Sequence, residues 1–194
     1  MSEFIKFELK NNIATITINR PEKKNALTFE MLQRLADIGE SLKSENNLLC
    51  VLITGKDGIF CSGIDITNFA TLANNKTLLN SLLEPLKGLP YNRIQKPCLI
   101  WQELLIPVIA ILEGPVFGAG LQLALGADIR IAAPNAQLSI METKWGLIPD
   151  MGITQTLPKL MNYDQALLAT LTSTLITAKK ACKLGLITIC AEKP

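Results

Sequence analysis

Histidine is absent from this 194-residue chain. Its absence removes Ser–His and Cys–His nucleophilic pairs, histidine-ligated zinc and the imidazole general base together. Acid–base chemistry must then fall to carboxylates, Lys, Tyr, Cys or backbone dipoles, and no metal site is expected. Cysteines stand at 50, 61, 98, 182 and 190, an odd number with no CxxC pair, which reads as free thiols in a reducing cytoplasm. Long hydrophobic runs are lacking. The most apolar stretch, Leu104 to Leu112, contains Pro107 and is bracketed by Glu103 and Glu113, far short of the ~20 residues a membrane span needs. The first residues, Met1 to Glu8, are broken by charges every few positions, unlike a secretory signal. An excess of one charge is lacking too. Nineteen Lys and Arg against 17 Asp and Glu leave +2, with no basic stripe and no aromatic ladder, so neither nucleic acid nor a membrane is an expected partner.

What is present is a globular balance. With 48% apolar and 19% charged residues, a chain of this length can bury one core as one domain, residues 1–194. Phe4 to Leu9 and Ile13 to Ile18 alternate apolar and polar residues about Asn11-Asn12, which predicts a hairpin. Thr28 can cap a helix with Met31, Leu32, Leu35, Ile38 and Leu42 on one face. Leu48 to Thr54 reads as a strand buried on both faces. A helical stretch is expected over Ile64 to Leu86 and another over Leu99 to Leu105. Pro107 to Leu112 and Asp128 to Ala132 read as strands, with a short apolar helix from Gly120 to Gly126 between them. Asp150 precedes a helix of about ten residues, and Thr177 can cap a last helix that stops at Gly185. Strands alternating with helices make the class α/β.

Two segments share one form: a buried strand, a glycine-rich turn, a helix start. They are Phe60-Cys61-Ser62-Gly63-Ile64-Asp65-Ile66 and Gly114-Pro115-Val116-Phe117-Gly118-Ala119-Gly120-Leu121-Gln122. Such turns let backbone N–H groups point outward, backed by the positive end of a helix. Two N–H groups converging from different loops would make an oxyanion hole. The plainer reading is that these glycines permit tight strand-to-helix turns. Neither segment is GxGxxG or GxxxxGK[ST], so dinucleotide and P-loop binding are excluded.

The order of segments resembles the enoyl-CoA hydratase/isomerase (crotonase) family. Asn19-Arg20-Pro21-Glu22-Lys23-Lys24-Asn25-Ala26-Leu27 and Phe60 to Ile66 carry the resemblance at the start of the chain. Pro107-Val108-Ile109-Ala110 with Gly118 to Ala124, then Ala127 to Ala132, carry it through the middle. Met141-Glu142-Thr143-Lys144-Trp145-Gly146-Leu147-Ile148-Pro149-Asp150-Met151-Gly152 is the last piece. The resemblance implies a ClpP/crotonase-like spiral of ββα units. It also implies an oxyanion hole from the N–H groups of Ile64 and Ala119, where the family usually has glycine in place of Ala119. Lys24, Ala26, Ser62, Gly63, Asp65 and Thr67 fall where the family holds the nucleotide and pantetheine, and Gly118, Gln122 and Trp145 are also expected to bind substrate, Trp145 as pocket wall. Coenzyme A would be part of the substrate, and no separate cofactor is expected. Family members associate as trimers or hexamers. This chain stops just after Gly185-Leu186-Ile187, so most of the usual C-terminal helical segment is expected to be missing and the association weakened.

The family's hydratases carry two glutamates. One falls on Glu142; the other falls on Gln122, and a carboxamide neither takes nor gives a proton at neutral pH. Asp150 is a different second carboxylate, and the Glu142/Asp150 spacing resembles the family's dienoyl-CoA isomerases, although those usually have aspartate at the place of Gln122. Asp150 is equally suited to cap the helix after it. Glu142 could be a surface residue, but apolar neighbours would raise its pKa and suit it to act as base. Double-bond isomerisation through an enolate is the expected reaction, hydration the alternative, and a non-catalytic acyl-CoA binder the rival. A ClpP-like serine protease is excluded by the missing histidine.

Overall fold

The structure, a computed structural model, describes residues 4–68 and 75–192. β1 (Ile5–Lys10) and β2 (Ile13–Ile18) pair antiparallel, and Asn11 and Asn12 turn between them at φ 51° and 62°, the left-handed pair that a tight type I′ hairpin requires. α1 (Phe29–Leu42) begins at Thr28, whose hydroxyl accepts from Met31 N at 3.2 Å. It buries all five apolar residues that the periodicity places on one face.

β3 (Cys50–Gly55), β4 (Val108–Leu112), β6 (Ile129–Ala132) and β9 (Ile189–Cys190) continue the sheet in parallel, in the order β1-β2-β3-β4-β6-β9. β3 differs from its expectation. Val51 and Ile53 are buried, whereas Cys50, Leu52 and Thr54 are half-buried, so one face is sealed and the other only partly covered.

A second layer sits beside the first. β5 (Pro115–Phe117) pairs parallel with β7 (Gln137–Ser139), and β7 antiparallel with β8 (Ile176–Thr177). Single bridges, Cys61 with Val116 and Leu27 with Ile64, extend this layer to earlier turns of the chain. β2 is thus followed by Leu27, β3 by Cys61, β4 by β5 and β6 by β7. Helices close these turns, and the result is the ββα spiral. The expected helix over Ile64 to Leu86 is seen in part. Thr67 and Asn68 are helical, α2 covers Lys76–Leu83, and residues 69–74 lie outside the described residues.

α3 (Lys96–Leu99) runs into a 3-10 turn, Ile100–Glu103, whose Trp101 is buried and donates Nε1–H to Pro97 O at 2.8 Å. α4 (Ala119–Leu125) follows β5 and is buried along its whole length. Asp128 fixes the start of β4 as well as its own strand, accepting from Val108 N at 2.8 Å. Arg130 is buried and ties β6 to the last turn, donating to Leu186 O at 2.8 Å and Ala127 O at 2.6 Å. After β7 come the 3-10 turn Glu142–Trp145, α5 (Ile153–Thr156), α6 (Tyr163–Thr172) and α7 (Ala178–Lys183), the last capped by Thr177. Among the described residues no helix is long and apolar enough to cross a membrane.

Candidate active site

The Cys61–Val116 bridge lays two turns of the chain side by side. Cys61 N donates to Pro115 O and Phe117 N to Cys61 O, both at 3.0 Å. Three residues beyond the bridge on each strand stand Ile64 and Ala119. Gly63 at φ 111° and Gly118 at φ 51° make the turns, conformations that side chains disfavour. A Cβ on Gly63 would lie 3.3 Å from Phe117 O, so the two turns are in contact. Ile64 and Ala119 both line a cavity of about 380 Å³. The hydrogen bonds beside Ile64 run from Leu27 N to Gly63 O and from Asp65 N to Leu27 O, leaving its own N–H without a backbone acceptor among the described residues. Ala119 is the first residue of α4, where no intrahelical acceptor exists.

Glu142 opens its 3-10 turn against the same cavity. Its Oε1 accepts from Gln122 Nε2 at 2.7 Å, and its Oε2 is buried without a hydrogen-bond partner. Burial raises its pKa above the ordinary carboxylate value. The backbone N–H of Glu142 and the Gln122 amide oppose that rise, while the charge of Asp150 adds to it. Gln122 is 2% exposed, and its Oε1 accepts from Met151 N at 2.9 Å. That amide fixes the carboxamide's orientation: the acceptor end must face Met151, so the donor end faces Glu142. A second cavity, about 530 Å³, adjoins the first and shares Ile64, Ala119, Glu142 and Leu147 with it. Asp150 stands on its wall among Phe29, Leu82, Ile94 and Met151, and burial raises the pKa of this carboxyl also. Among the described residues no Lys or Arg lines either cavity.

The four residues expected at the reaction centre, Ile64, Ala119, Glu142 and Asp150, therefore border one space. Ser62, Gly63, Gly118 and Trp145 line the first cavity, with Trp145 70% exposed as part of its wall. Lys24 and Ala26 lie on the neighbouring loop: Lys24 O accepts from Ser62 N at 3.1 Å, and Ala26 O from Arg20 Nη1 at 3.1 Å. Asp65 is buried and Thr67 exposed, and neither lines either cavity. Asp65 is paired with Arg20 at 2.5 Å and accepts from the backbone N–H and hydroxyl of Thr67. The Thr67 N–H bond, then Arg20 and the Thr67 hydroxyl, hold the Asp65 pKa down to about 2. These two residues brace the loop. Asp150 is not a helix cap: Gly152 occupies that position at φ 95° with no side-chain cap, so α5 begins two residues later than the sequence suggests. The clamp of Gln122 between Met151 N and Glu142 left no mark in the sequence, since one partner is a backbone amide 29 residues away.

A spiral of this order, with paired glycine turns facing a buried carboxylate, is the crotonase fold. The family model for enoyl-CoA hydratase/isomerase matches residues 8–193. The provisionally named enoyl-CoA hydratase/isomerase YngF of Bacillus subtilis is 36% identical over 189 residues, covering 96% of this chain and 69% of the relative. The 1,2-epoxyphenylacetyl-CoA isomerase of Escherichia coli is 33% identical over 188 residues, with the same coverage. A crystal structure of a provisionally named enoyl-CoA hydratase from Thermobifida fusca YX, in complex with acetoacetyl-CoA, superposes with a TM-score of 0.82 at 30% identity, covering 96% of this chain and 73% of that one. The chain belongs to the enoyl-CoA hydratase/isomerase family and is an enzyme of the crotonase type.

Proposed function

We propose that the protein moves the carbon–carbon double bond of an enoyl- or dienoyl-CoA, with Glu142 as the base. The observation that carries this reading is the Gln122 clamp. The residue facing Glu142 is a hydrogen-bond donor held by Met151 N, so it supplies no second proton-handling group for the family's two-carboxylate hydration. The bound acetoacetyl-CoA of the Thermobifida fusca neighbour supports an acyl-CoA in the shared cavity. In the proposed reaction the thioester oxygen accepts from the N–H groups of Ile64 and Ala119. Glu142 takes a proton from C2 of a 3-enoyl-CoA, and the carbanion charge passes to that oxygen as a dienolate. When the enolate collapses, C2=C3 forms and the former C3=C4 pair takes the proton at C4, returned by Glu142. In a 3,5-dienoyl-CoA the proton goes to C6 from Asp150, which enters protonated on the wall of the second cavity; Glu142 then gives its proton up to solvent and Asp150 is reprotonated from it, which closes the cycle. Each oxyanion-hole donor is worth on the order of 10²–10³ in rate.

Hydration by Glu142 alone is the second reading, favoured by the hydratase name of the Thermobifida fusca neighbour. An assay of 3-enoyl-CoA and 3,5-dienoyl-CoA isomerisation beside 2-enoyl-CoA hydration separates the two. Glu142→Gln is expected to lose ~10²–10⁴-fold in turnover while still binding CoA esters, and Asp150→Asn to impair dienoyl isomerisation selectively. A wild type that hydrates faster than it isomerises, with Asp150→Asn silent, reverses the ranking. Absence of turnover with any thioester in a folded preparation supports a non-catalytic acyl-CoA binder. The free thiols of all five cysteines support a reducing, cytoplasmic setting, and the exposed Tyr163, Leu167, Leu168 and Leu171 of α6 support self-association as a trimer or hexamer.

A further inference from the structure

The turn that carries Glu142 and the loop that carries Ala119 are tied to one residue that belongs to neither, Ser173. It follows α6 as the C-cap, at φ 50° and ψ 27°. Its carbonyl accepts from Ser139 Oγ at 3.0 Å, and Ser139 O in turn accepts from Gly118 N at 3.0 Å. Its hydroxyl meets Thr143 Oγ1 in a short contact and accepts from Lys144 N at 3.1 Å. Thr143 Oγ1 also bonds Thr170 O at 2.6 Å. A carbonyl only accepts and a hydroxyl has one proton, so the chain of donors has one direction. The Thr143 hydroxyl donates to Thr170 O, the Ser173 hydroxyl donates to Thr143 Oγ1, and Lys144 N–H donates to Ser173 Oγ. The one proton of each hydroxyl is committed, and residues 143 and 144, immediately after Glu142, are held from outside their own turn, with Lys144 N–H shared with Met141 O inside it at 3.2 Å.

We propose that Ser173, acting through Thr143, is a positioning residue: it fixes Glu142 against the oxyanion loop by bonding the Glu142 turn and, through Ser139, the Gly118–Ala119 turn to the end of α6. Ser173 touches neither cavity. The inference rests on Glu142 being the base. Its physical content is that the carboxylate's placement is set from the far side of the turn, and a displacement of about 1 Å at a reacting group costs on the order of 10² in rate.

The test uses two substitutions that a merely structural role would separate. Glycine at 173 relieves the left-handed backbone conformation and alanine does not, while both remove the hydroxyl. Positioning predicts that Ser173→Gly and Ser173→Ala lose kcat alike, by about 10²-fold, with KM little changed, even though the glycine variant melts higher than the alanine variant. Thr143→Val should match them, and Thr143→Ser, which keeps the hydroxyl, should restore turnover. An NMR titration of the Glu142 carboxyl reads the same clamp without turnover. In Ser173→Gly the Glu142 pKa should move down toward the ordinary carboxylate value as the loosened turn admits water. Wild-type kcat in Ser173→Gly or in Thr143→Val, or an unmoved Glu142 titration, would overturn the proposal. If the wild type turns over no thioester but the titration moves, the clamp stands and it is the reaction proposed above that fails.

Discussion

At the scale of single residues, Glu142 is poised by two opposing influences. Burial raises its pKa, and the Gln122 amide lowers it by donating to the charged form. A carboxylate in place of that amide would reverse the second influence. With its outer oxygen still accepting from Met151 N, the new carboxylate would put oxygen against oxygen at the 2.7 Å that Gln122 Nε2 now holds, and two such groups share one proton. Gln122→Glu is therefore expected to raise the apparent pKa of the pair. A base must be ionised to act, so the rising limb of the isomerisation pH–rate profile should move to higher pH, with rate lost at the acid end and regained above the new value. Hydration of a 2-enoyl-CoA should increase, because the pair can hold a water and handle both protons. A profile superimposable on the wild type would mean that Gln122 does not face Glu142 in solution. The carboxylates were legible in the sequence, because Glu142 and Asp150 sit in a motif of fixed spacing. The clamp and the Ser173 bonds were not, because hydrogen bonds to backbone amides and between residues 30 apart in sequence impose no spacing rule.

Among the elements, α4 decides how closely the two glycine turns approach. It is buried on every side, and its Gly120 lies against Cys61 so tightly that a Cβ would meet Cys61 Cβ and O at 2.7 Å and Sγ at 2.8 Å. Gly120 has helical φ, so Ala there would ordinarily stabilise the helix by roughly 0.5–1 kcal/mol. The contact reverses the sign: Gly120→Ala should destabilise by about 1–3 kcal/mol through overpacking, read as a lower thermal midpoint, and should slow turnover by spreading the Ile64 and Ala119 turns. Stabilisation by Gly120→Ala would show that the turns do not pack as closely as described. Legibility varies among the elements for the same kind of reason. The hairpin, α1 and the Thr177 cap follow local rules of turn and capping chemistry, and the sequence reading matches them. The two-sided burial expected of β3 failed because an apolar run does not report whether a second layer covers it. Asp150 suited a cap as well as a second carboxylate, because a carboxylate before a helical segment fits the capping role locally. The helix instead begins at Ile153, with Gly152 in the cap position at φ 95°.

On the scale of the whole molecule, α6 presents its apolar residues the wrong way round for a helix packed on one core. Its buried positions are Ala166 and Ala169, while Tyr163, Leu168 and Leu171 are 80%, 57% and 66% exposed, and Leu175 beyond it is 56% exposed. Within α6, Tyr163, Leu167 and Leu171 recur at a spacing of four with Leu168 beside them, all exposed, and an exposed apolar stripe of this kind is a candidate association surface. The same helix is capped by Ser173, so a second copy of the chain on its outer face would steady the bonds that hold the Glu142 turn. Two expectations, on association and on activity, follow from one double variant. Sedimentation velocity over a hundredfold range of concentration should show wild-type chains associating, and Leu168→Glu with Leu171→Glu should shift them to monomer. These positions are exposed, so each change should alter monomer stability by no more than about 0.5 kcal/mol, and the thermal midpoint measured in dilute solution should hold. Specific activity of the wild type should rise with protein concentration and that of the double variant should not. A wild type that sediments as monomer throughout would remove the stripe's role in self-association. Association without any concentration dependence of activity would separate the stripe from the Glu142 turn and leave Ser173 to act within one chain.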